Sequence, residues 1–430
     1  MTIIGRIKKK LYFVVAGYFR FFSKRALRRW NPRVIAITGS VGKTTMLNMM
    51  EYQLGDRAHY SHDANSAFGI AFDLVGLCGI TGSKLRWLYL FIAVPIKSIF
   101  YKHTEEFYVV EIDGERPHET EFLASWLRPE VTVWVALGRS HAVQFEDQVK
   151  DGTFEDIDRA ITHEFAMLPQ YTTDLILIDK DVPLMKKAVE KVKEHHNVEA
   201  KTEECTKADI AKYEVYPEYS DFTIGKTKIH FDNPQPRDIS IQLVMLKKLM
   251  KYLKLEMKND FSGLKFPPSR SNYFEGKKGL NLIDSSYNAH LISVASILEM
   301  AREMHCDHKW LVIGDIVDQG SIEDAEHKKL ADLIAEVKAE KVILIGRRTQ
   351  KYTAPRLKEL GIEAYTTLDQ HEALEYIEAN TTGKETLFFK GSQYLEWIIE
   401  KLLKNPEDAK KLCRREKAAV ARRKKRGLDS

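Results

Sequence analysis

The chain has 430 residues, 44% of them apolar and 30% charged, with a net charge of +5. That length exceeds one ordinary core and points to two or three domains, and that composition excludes a disordered or membrane-spanning chain. The four cysteines, Cys78, Cys205, Cys306 and Cys413, lie far apart with no metal-ligand pair spacing, which fits a reducing compartment and argues against a disulfide framework or a zinc site.

Residues 1–31 form a basic and apolar segment. Arg6 and Lys8 to Lys10 precede LYFVVAGYFRFF at 11–22, and Lys24, Arg25, Arg28 and Arg29 follow. The apolar run is short of the roughly 20 residues a spanning helix needs. No small-residue cleavage site follows it, and Arg20 interrupts it, so it is not a secretory signal. Two readings stand: a helix lying on a membrane surface through residues 1–30, or a helix packed on the protein. WLYLFIAVPI at 87–96 contains Pro95 and reads either as core or as a second membrane contact.

From residue 34 short β-branched runs alternate with helical patterns. Strands are expected at 34–38, 107–112, 131–136 and 174–179, then at 280–284, 309–314, 341–346 and 386–391. Helices are expected at 182–195, 238–255, 291–304, 323–338 and 392–404. Such alternation predicts an α/β fold of mostly parallel sheets covered by helices. The stretch 200–236 reads as polar and irregular, and FPPSR at 266–270 as a linker. The expected order is therefore a central phosphate-loop sheet domain at 32–268, a Rossmann-like α/β domain at 269–405, and a basic tail at 406–430. The tail reads as a solvated, partly helical extension, and no nucleic-acid module accompanies its charge.

The strongest local signal is ITGSVGKTT at 37–45, where a strand enters a glycine turn and then a helix. Gly39 and Gly42 leave backbone N–H groups open to a phosphate, with Ser40, Val41 and Thr45 completing the loop. Lys43 supplies a point charge, and the Thr44 hydroxyl can ligate Mg²⁺. The ordinary phosphate loop has a glycine where Ile37 stands, so this is a short form, G-x-x-G-K-T-T.

That short loop resembles the TGTNGKTT loop of the Mur ligases, which build bacterial cell-wall peptides, and of the related folylpolyglutamate ligases. Further segments follow in the family's order. NSAFG at 65–69 is similar to its Asn-x-x-x-Gly segment, and VVEIDG at 109–114 to the strand ending in a metal-binding acid. VALGRSHAVQF at 135–145 resembles "TNIGPAHLEGF", and PPSR, ending in Arg270, resembles the entrance to the last domain. LIDSSYNAH at 282–290, VIGDIVDQG at 312–320 (with His327 beyond it) and FFKGSQYLE at 388–396 resemble "IDDSYNANP", "LGDMLELG" and "LVKGSRGME". These last three resemble the branch of the family that adds D-alanyl-D-alanine to a UDP-muramoyl tripeptide.

The resemblance implies an ATP- and Mg²⁺-dependent ligase acting in the cytoplasm, joining a carboxylate to an amine through an acyl phosphate. Its substrates would be a muramoyl peptide and D-alanyl-D-alanine. Lys43, Glu111 and His141 would be catalytic, with Thr44, Glu111 and His141 holding metal. Arg270, Asp284 and Asn288 would bind the nucleotide alongside the loop, and Asn65, Lys390 and Ser392 would lie at the substrates. The chain also departs from the family pattern. Only 33 residues precede the first strand, where the family has a UDP-binding domain. Thr162, in AITHEF at 160–165, stands at the lysine of the family's "AKGE", and Ser285 replaces an acid of "DDSYN". The "GRHN" segment is not recognisable near Pro236, Arg237 and Asp238. These departures leave two alternatives: a Mur-like ligase for a lipid-linked or polymeric carboxylate, and a catalytically inactive nucleotide-binding scaffold.

Overall fold

A computed structural model describes residues 3–62, 64–79, 83–139, 142–287, 289–317, 319 and 322–428, with residues 3–10 and 84 described by backbone alone. The chain forms two compact units. The first is residues 1–207 with 241–257, and the second is 208–240 with 258–430. The prolines at 267–268 mark a linker in sequence, but chain packing divides the molecule elsewhere, because the segment before them contributes to both units.

In the first unit a six-stranded sheet takes the order β2-β3-β1-β4-β5-β6, every neighbour parallel. Its strands are β1 (Arg33–Thr38), β2 (Ala58–Tyr60), β3 (Phe107–Ile112), β4 (Val131–Trp134), β5 (Leu175–Asp179) and β6 (Lys201–Cys205). Both faces are covered, so β3, β4 and β5 are buried at every residue, which is why they read as continuous apolar runs. Helices α1 (Ile3–Trp30), α2 (Lys43–Leu54), α3 (Ala67–Asp73), α4 (Lys84–Phe100), α5 (Glu119–Leu127), α6 (Glu146–Lys150), α7 (Ile157–Gln170) and α8 (Pro183–His196) belong to this unit, and α9 (Ile239–Tyr252) returns to it from residue 241.

The apolar run at 11–22 is the middle of a much longer helix. α1 has 28 residues, and its basic flanks are helical too. It packs through Ala16, Phe19 and Leu27 on α3 and the sheet. No described helix is long and apolar enough to cross a membrane.

The second unit carries a sheet ordered β10-β11-β15-β12-β13-β14. Its strands are β10 (Asn272–Glu275), β11 (Asn281–Ser285), β12 (His308–Gly314), β13 (Lys341–Ile345), β14 (Tyr365–Thr367) and β15 (Glu385–Lys390). Only the edge strand β10 is antiparallel. The stretch at 200–236 is not irregular. It holds β6 and then an antiparallel meander of β7 (Ile210–Val215), β8 (Ser220–Ile224) and β9 (Thr227–Phe231). The meander hides as a polar sequence because one face is solvated, while Phe222, Ile229 and Phe231 are buried on the other. Val215 joins the core of the second unit with Leu298, Leu311 and Phe388.

The basic tail also differs from expectation, because it folds back onto its own unit. Arg423 is only 2% exposed and pairs with Glu400 at 2.8 Å, Arg415 pairs with the same carboxylate at 2.8 Å, and Arg414 meets Glu396 at 2.9 Å. Glu396 and Glu400 lie on the helix Leu395–Leu402, whose carboxylates would otherwise be desolvated without a counter-charge.

Candidate functional site

The parallel sheet of the first unit brings the phosphate-loop residues to the carboxyl ends of its strands, the edge where ligand sites form in such sheets. β1 ends at Thr38, whose hydroxyl donates to the Ile112 carbonyl of β3 at 3.0 Å. The chain then turns at Gly39 and Gly42, with φ of +136° and +81°. A Cβ on Gly39 would sit 2.7 Å from the Ala136 carbonyl oxygen, and one on Gly42 would sit 2.1 Å from Nε2 of Gln242 on α9. Backbone conformation therefore requires both glycines, and at Gly39 the neighbouring backbone also leaves no room for a Cβ. Ser40 fixes the loop to the strand beyond β4: its N–H donates to Ala136 O at 3.1 Å and its hydroxyl to Gly138 O at 2.6 Å. The expected strand at 131–136 stops at Trp134, and its last residues serve this anchorage instead.

Lys43 opens α2 and is 9% exposed. Its Nζ donates to Gly39 O at 2.6 Å and pairs with Asp113 at 2.7 Å. The Thr44 hydroxyl lies 3.1 and 3.3 Å from the two carboxylate oxygens of Glu111. Register accounts for this, because Glu111 sits opposite Ile37 on the neighbouring strand. Asn65 donates from Nδ2 to Asp113 at 2.9 Å, and its carbonyl accepts from Asp113 N at 3.2 Å. The structure thus brings Lys43, Thr44, Glu111 and Asn65 together. It also adds Asp113 and Glu115, which sequence reasoning missed. Burial and the neighbouring Asp113 carboxylate push the Glu115 carboxyl up to about 7. The sequence does carry a signal for them: acids recur at 111, 113 and 115, every second residue, as a strand leaves the sheet.

Glu111, Asp113 and Glu115 thus place acidic side chains beside the loop and its lysine. Thr44 and Glu111 present only oxygen donors to their shared neighbourhood, the donor type that suits a hard divalent cation and not a soft one. His141 lies outside the described residues. A separate triad that could hold a metal, His59, His103 and Glu105, brings its ligand atoms within 4.8 Å. It sits at the opposite end of β3, and its groups have other partners: Asp73 takes His59, and Trp30 stacks on His103 at 4.0 Å.

Glu164 and Thr162 on α7 have local roles. Glu164 accepts from the backbone N–H groups of His118 and Thr120, both at 2.7 Å, and so caps α5. The Thr162 hydroxyl donates to Asp158 O one turn back at 2.6 Å.

The second unit assembles its own cluster. Asp284 is fully buried and accepts from the Ser269 and Ser286 hydroxyls, each at 2.7 Å, and from Ser286 N at 3.0 Å. It therefore holds the residues flanking Arg270 and Tyr287, whose guanidinium and ring face each other at 5.1 Å. The Ser392 hydroxyl donates to Asp315 O at 2.9 Å, and Asp315 in turn accepts from Thr349 N at 2.8 Å. His327 is buried, donates from Nδ1 to Glu323 O, and accepts from Ile316 N. Asn288 lies outside the described residues.

Lys390, at the end of β15, is 7% exposed. Burial and then the like charge of Arg270 lower its amine to about 7, against the opposing pull of Asp284. The unfolded chain holds that proton up to about 10.5, so between these values stability rises with pH, and below the lower one the full cost of burying the charge is present. Lys390→Met is expected to stabilise the protein most near pH 6. That advantage should shrink by up to about 1.4 kcal/mol per unit above pH 7. Urea unfolding at about pH 6 and about pH 9 measures this. An equal difference at both values would show that the buried lysine is not the titrating group.

Comparison with known proteins gives a family match, relatives in sequence and neighbours in structure. Residues 269–393 match the Mur ligase family's glutamate ligase domain. Over 401 residues the chain is 23% identical to the UDP-N-acetylmuramoyl-tripeptide--D-alanyl-D-alanine ligase of Bacillus subtilis (strain 168), covering 89% of this chain and 79% of that protein. The enzyme of the same name from Buchnera aphidicola is 21% identical, with 93% and 80% covered. Among solved structures, MurF ligase from Thermotoga maritima in complex with ADP superposes with a TM-score of 0.69 at 17% identity, covering 90% of this chain and 82% of that one. MurF from Acinetobacter baumannii gives 0.67 at 16% identity, with 90% and 80% covered. The fold is that of these ligases.

Proposed function

We propose that this chain, a Mur-type ligase by its fold and by the domain at 269–393, forms an amide bond between a carboxylate and an amine at the expense of ATP, through an acyl phosphate. The substrates that fit this reading are a UDP-muramoyl tripeptide and D-alanyl-D-alanine, those named for the bacterial relatives, in cytoplasmic peptidoglycan precursor synthesis. The observation that carries it is the packing of Lys43, Thr44, Glu111 and Asp113 around one glycine turn at the carboxyl end of a parallel sheet.

In this reading the loop N–H groups and the α2 N-terminus hold the phosphates, and Lys43 exchanges Asp113 for the β/γ-phosphate oxygens. Thr44 and Glu111 would hold Mg²⁺, which neutralises phosphate charge when bound. Asn65, tied to Asp113, orients the acyl group, and His141 is assigned to the metal alongside Glu111. In the second unit Arg270, with Asp284 positioning its neighbours, serves the nucleotide, and the same role is assigned to Asn288. Lys390 and Ser392 serve the amine. A neutral fraction of Lys390 near pH 7 suits a site that must accept an amine without repelling its protonated form.

Phosphate release tests the proposal. With ATP and Mg²⁺ it should require both the muramoyl tripeptide and D-alanyl-D-alanine, and mass spectrometry should find the joined pentapeptide. Release at one rate with or without either substrate would reject ligation. ATP binding with no release under any combination would favour the inactive scaffold.

A further inference from the structure

Helices α1 and α4 contain no Asp or Glu across their 28 and 17 residues, although the chain has 61 acids. They carry twelve Lys and Arg between them, so with the chain at +5 everything outside these two helices sums to −7. The same helices hold eleven of the sixteen large apolar side chains that lie exposed among the described residues.

The pattern along each helix is specific. On α1, Leu11, Val14, Tyr18 and Phe21 recur at three- and four-residue steps and are exposed, Phe21 by 71%. The opposite stripe, Ala16, Phe19, Ser23 and Ala26, is buried on the protein. α4 repeats this, with Leu85, Leu88, Ile92, Ile96 and Ile99 exposed while Leu90, Ala93 and Val94 are buried. A helix with one apolar stripe packs on its protein, and a second stripe facing outward calls for a further apolar neighbour.

The two helices form one surface. The Tyr18 hydroxyl donates to Phe91 O at 2.8 Å, and Arg29 donates to Ser98 O and Tyr101 O at 2.7 and 2.6 Å. Between them runs an open groove lined only by Leu11, Tyr12, Val15, Phe68, Trp87 and Phe91. On the side of α1 toward Phe122 of α5, a second hollow surrounds Phe21 with Arg20, Lys24, Arg25 and Arg28. None of these four cations has a carboxylate partner among the described residues. Burial and then the like charges of Arg28, Arg20 and Arg128 hold the Lys24 amine below its ordinary value, as unneutralised positive charge should.

We infer that α1 and α4 together form a platform that seats the protein on an anionic lipid bilayer, with the apolar stripes among the acyl chains and the α1 cations on the lipid phosphates. The charge decides the occupant. A second copy of this chain would bring twelve more cations against these, whereas an anionic leaflet supplies what they lack. Length agrees with a surface-lying mode, since α4 spans about 25 Å and carries Arg86 and Lys97. The inference is independent of the ligase reading. It does place that reading's Asn65 near a membrane: the Tyr12 hydroxyl of α1 donates to Glu119, which also accepts from Ala67 N, two residues from Asn65.

The test is flotation of the full-length protein with phosphatidylcholine vesicles, with and without phosphatidylglycerol. Nucleotide and substrate are not needed, so the outcome cannot be confused with failure of the ligase assay. Binding is expected at physiological salt only to the anionic vesicles. It should fall at least tenfold in Leu88→Asp/Ile92→Asp and in Lys24→Glu/Arg25→Glu/Arg28→Glu. All five positions face outward or line the basic hollow, and unchanged circular dichroism melting confirms that the variants fold. No flotation, or flotation indifferent to lipid charge and to both variants, overturns the inference. So does a dimer in sedimentation without vesicles that Leu88→Asp/Ile92→Asp dissociates, because the stripes would then face a second copy.

Discussion

Lys43→Ala is expected to lower kcat/KM for substrate-dependent phosphate release by roughly 10³-fold or more, the scale of losing a preorganised charge from a phosphoryl-transfer site. Two effects combine. The variant loses the ammonium that pairs with Asp113 at 2.7 Å, so the site that must receive a triphosphate becomes more anionic. It also frees the Gly39 carbonyl that Lys43 ties to the loop. Nucleotide affinity should fall with kcat, and fluorescent-nucleotide titration separates the two. Lys43→Arg should not restore activity, because a planar guanidinium cannot occupy the space of a compact ammonium that is 9% exposed. Melting should change by no more than a few degrees, since Asn65 still donates to Asp113. Full turnover in Lys43→Ala would remove the loop from the chemistry.

Glu111→Gln should show itself first in the metal dependence. The amide keeps the size of the carboxylate and can still accept from the Thr44 hydroxyl, so the strand end and its neighbours should hold. What it loses is the charge a hard cation needs. The Mg²⁺ concentration giving half-maximal activity is expected to rise about tenfold, and kcat at saturating metal to fall on the order of 10². A fall in kcat with an unchanged metal requirement would instead make Glu111 a support for Thr44, and the metal would have to be sought at Asp113 or Glu115.

These variants touch residues of very different legibility. Gly39, Gly42, Lys43 and Thr44 were readable because a phosphate loop is local chemistry: a strand, a turn and a helix within nine residues. Glu111 was readable only through the order of a family's segments. Asp113 and Glu115 escaped because their meaning depends on Lys43 and Asn65, brought near by β1 and α3 and not by sequence. The central strands were plain, since burial on both faces writes an unbroken apolar run. The meander at 210–231 was not, because half of its residues face solvent and its apolar positions look sparse. α1 was underestimated since hydropathy marks only its middle, while its ends are helical and basic. The tail was read as solvated because its arginines are answered by Glu396 and Glu400, which nothing near them in the chain announces.

The crossing of the chain between its two units bears on how the molecule can be taken apart. Residues 208–240 belong with the C-terminal unit, while α9, which follows them, belongs with the first. Cutting before Ser269 would give a fragment that begins neatly at a recognisable family segment yet lacks Val215 from its interior. The complementary fragment would carry the meander as an unanchored appendage. Neither half is autonomous, so split expression should yield insoluble pieces that recover only when produced together.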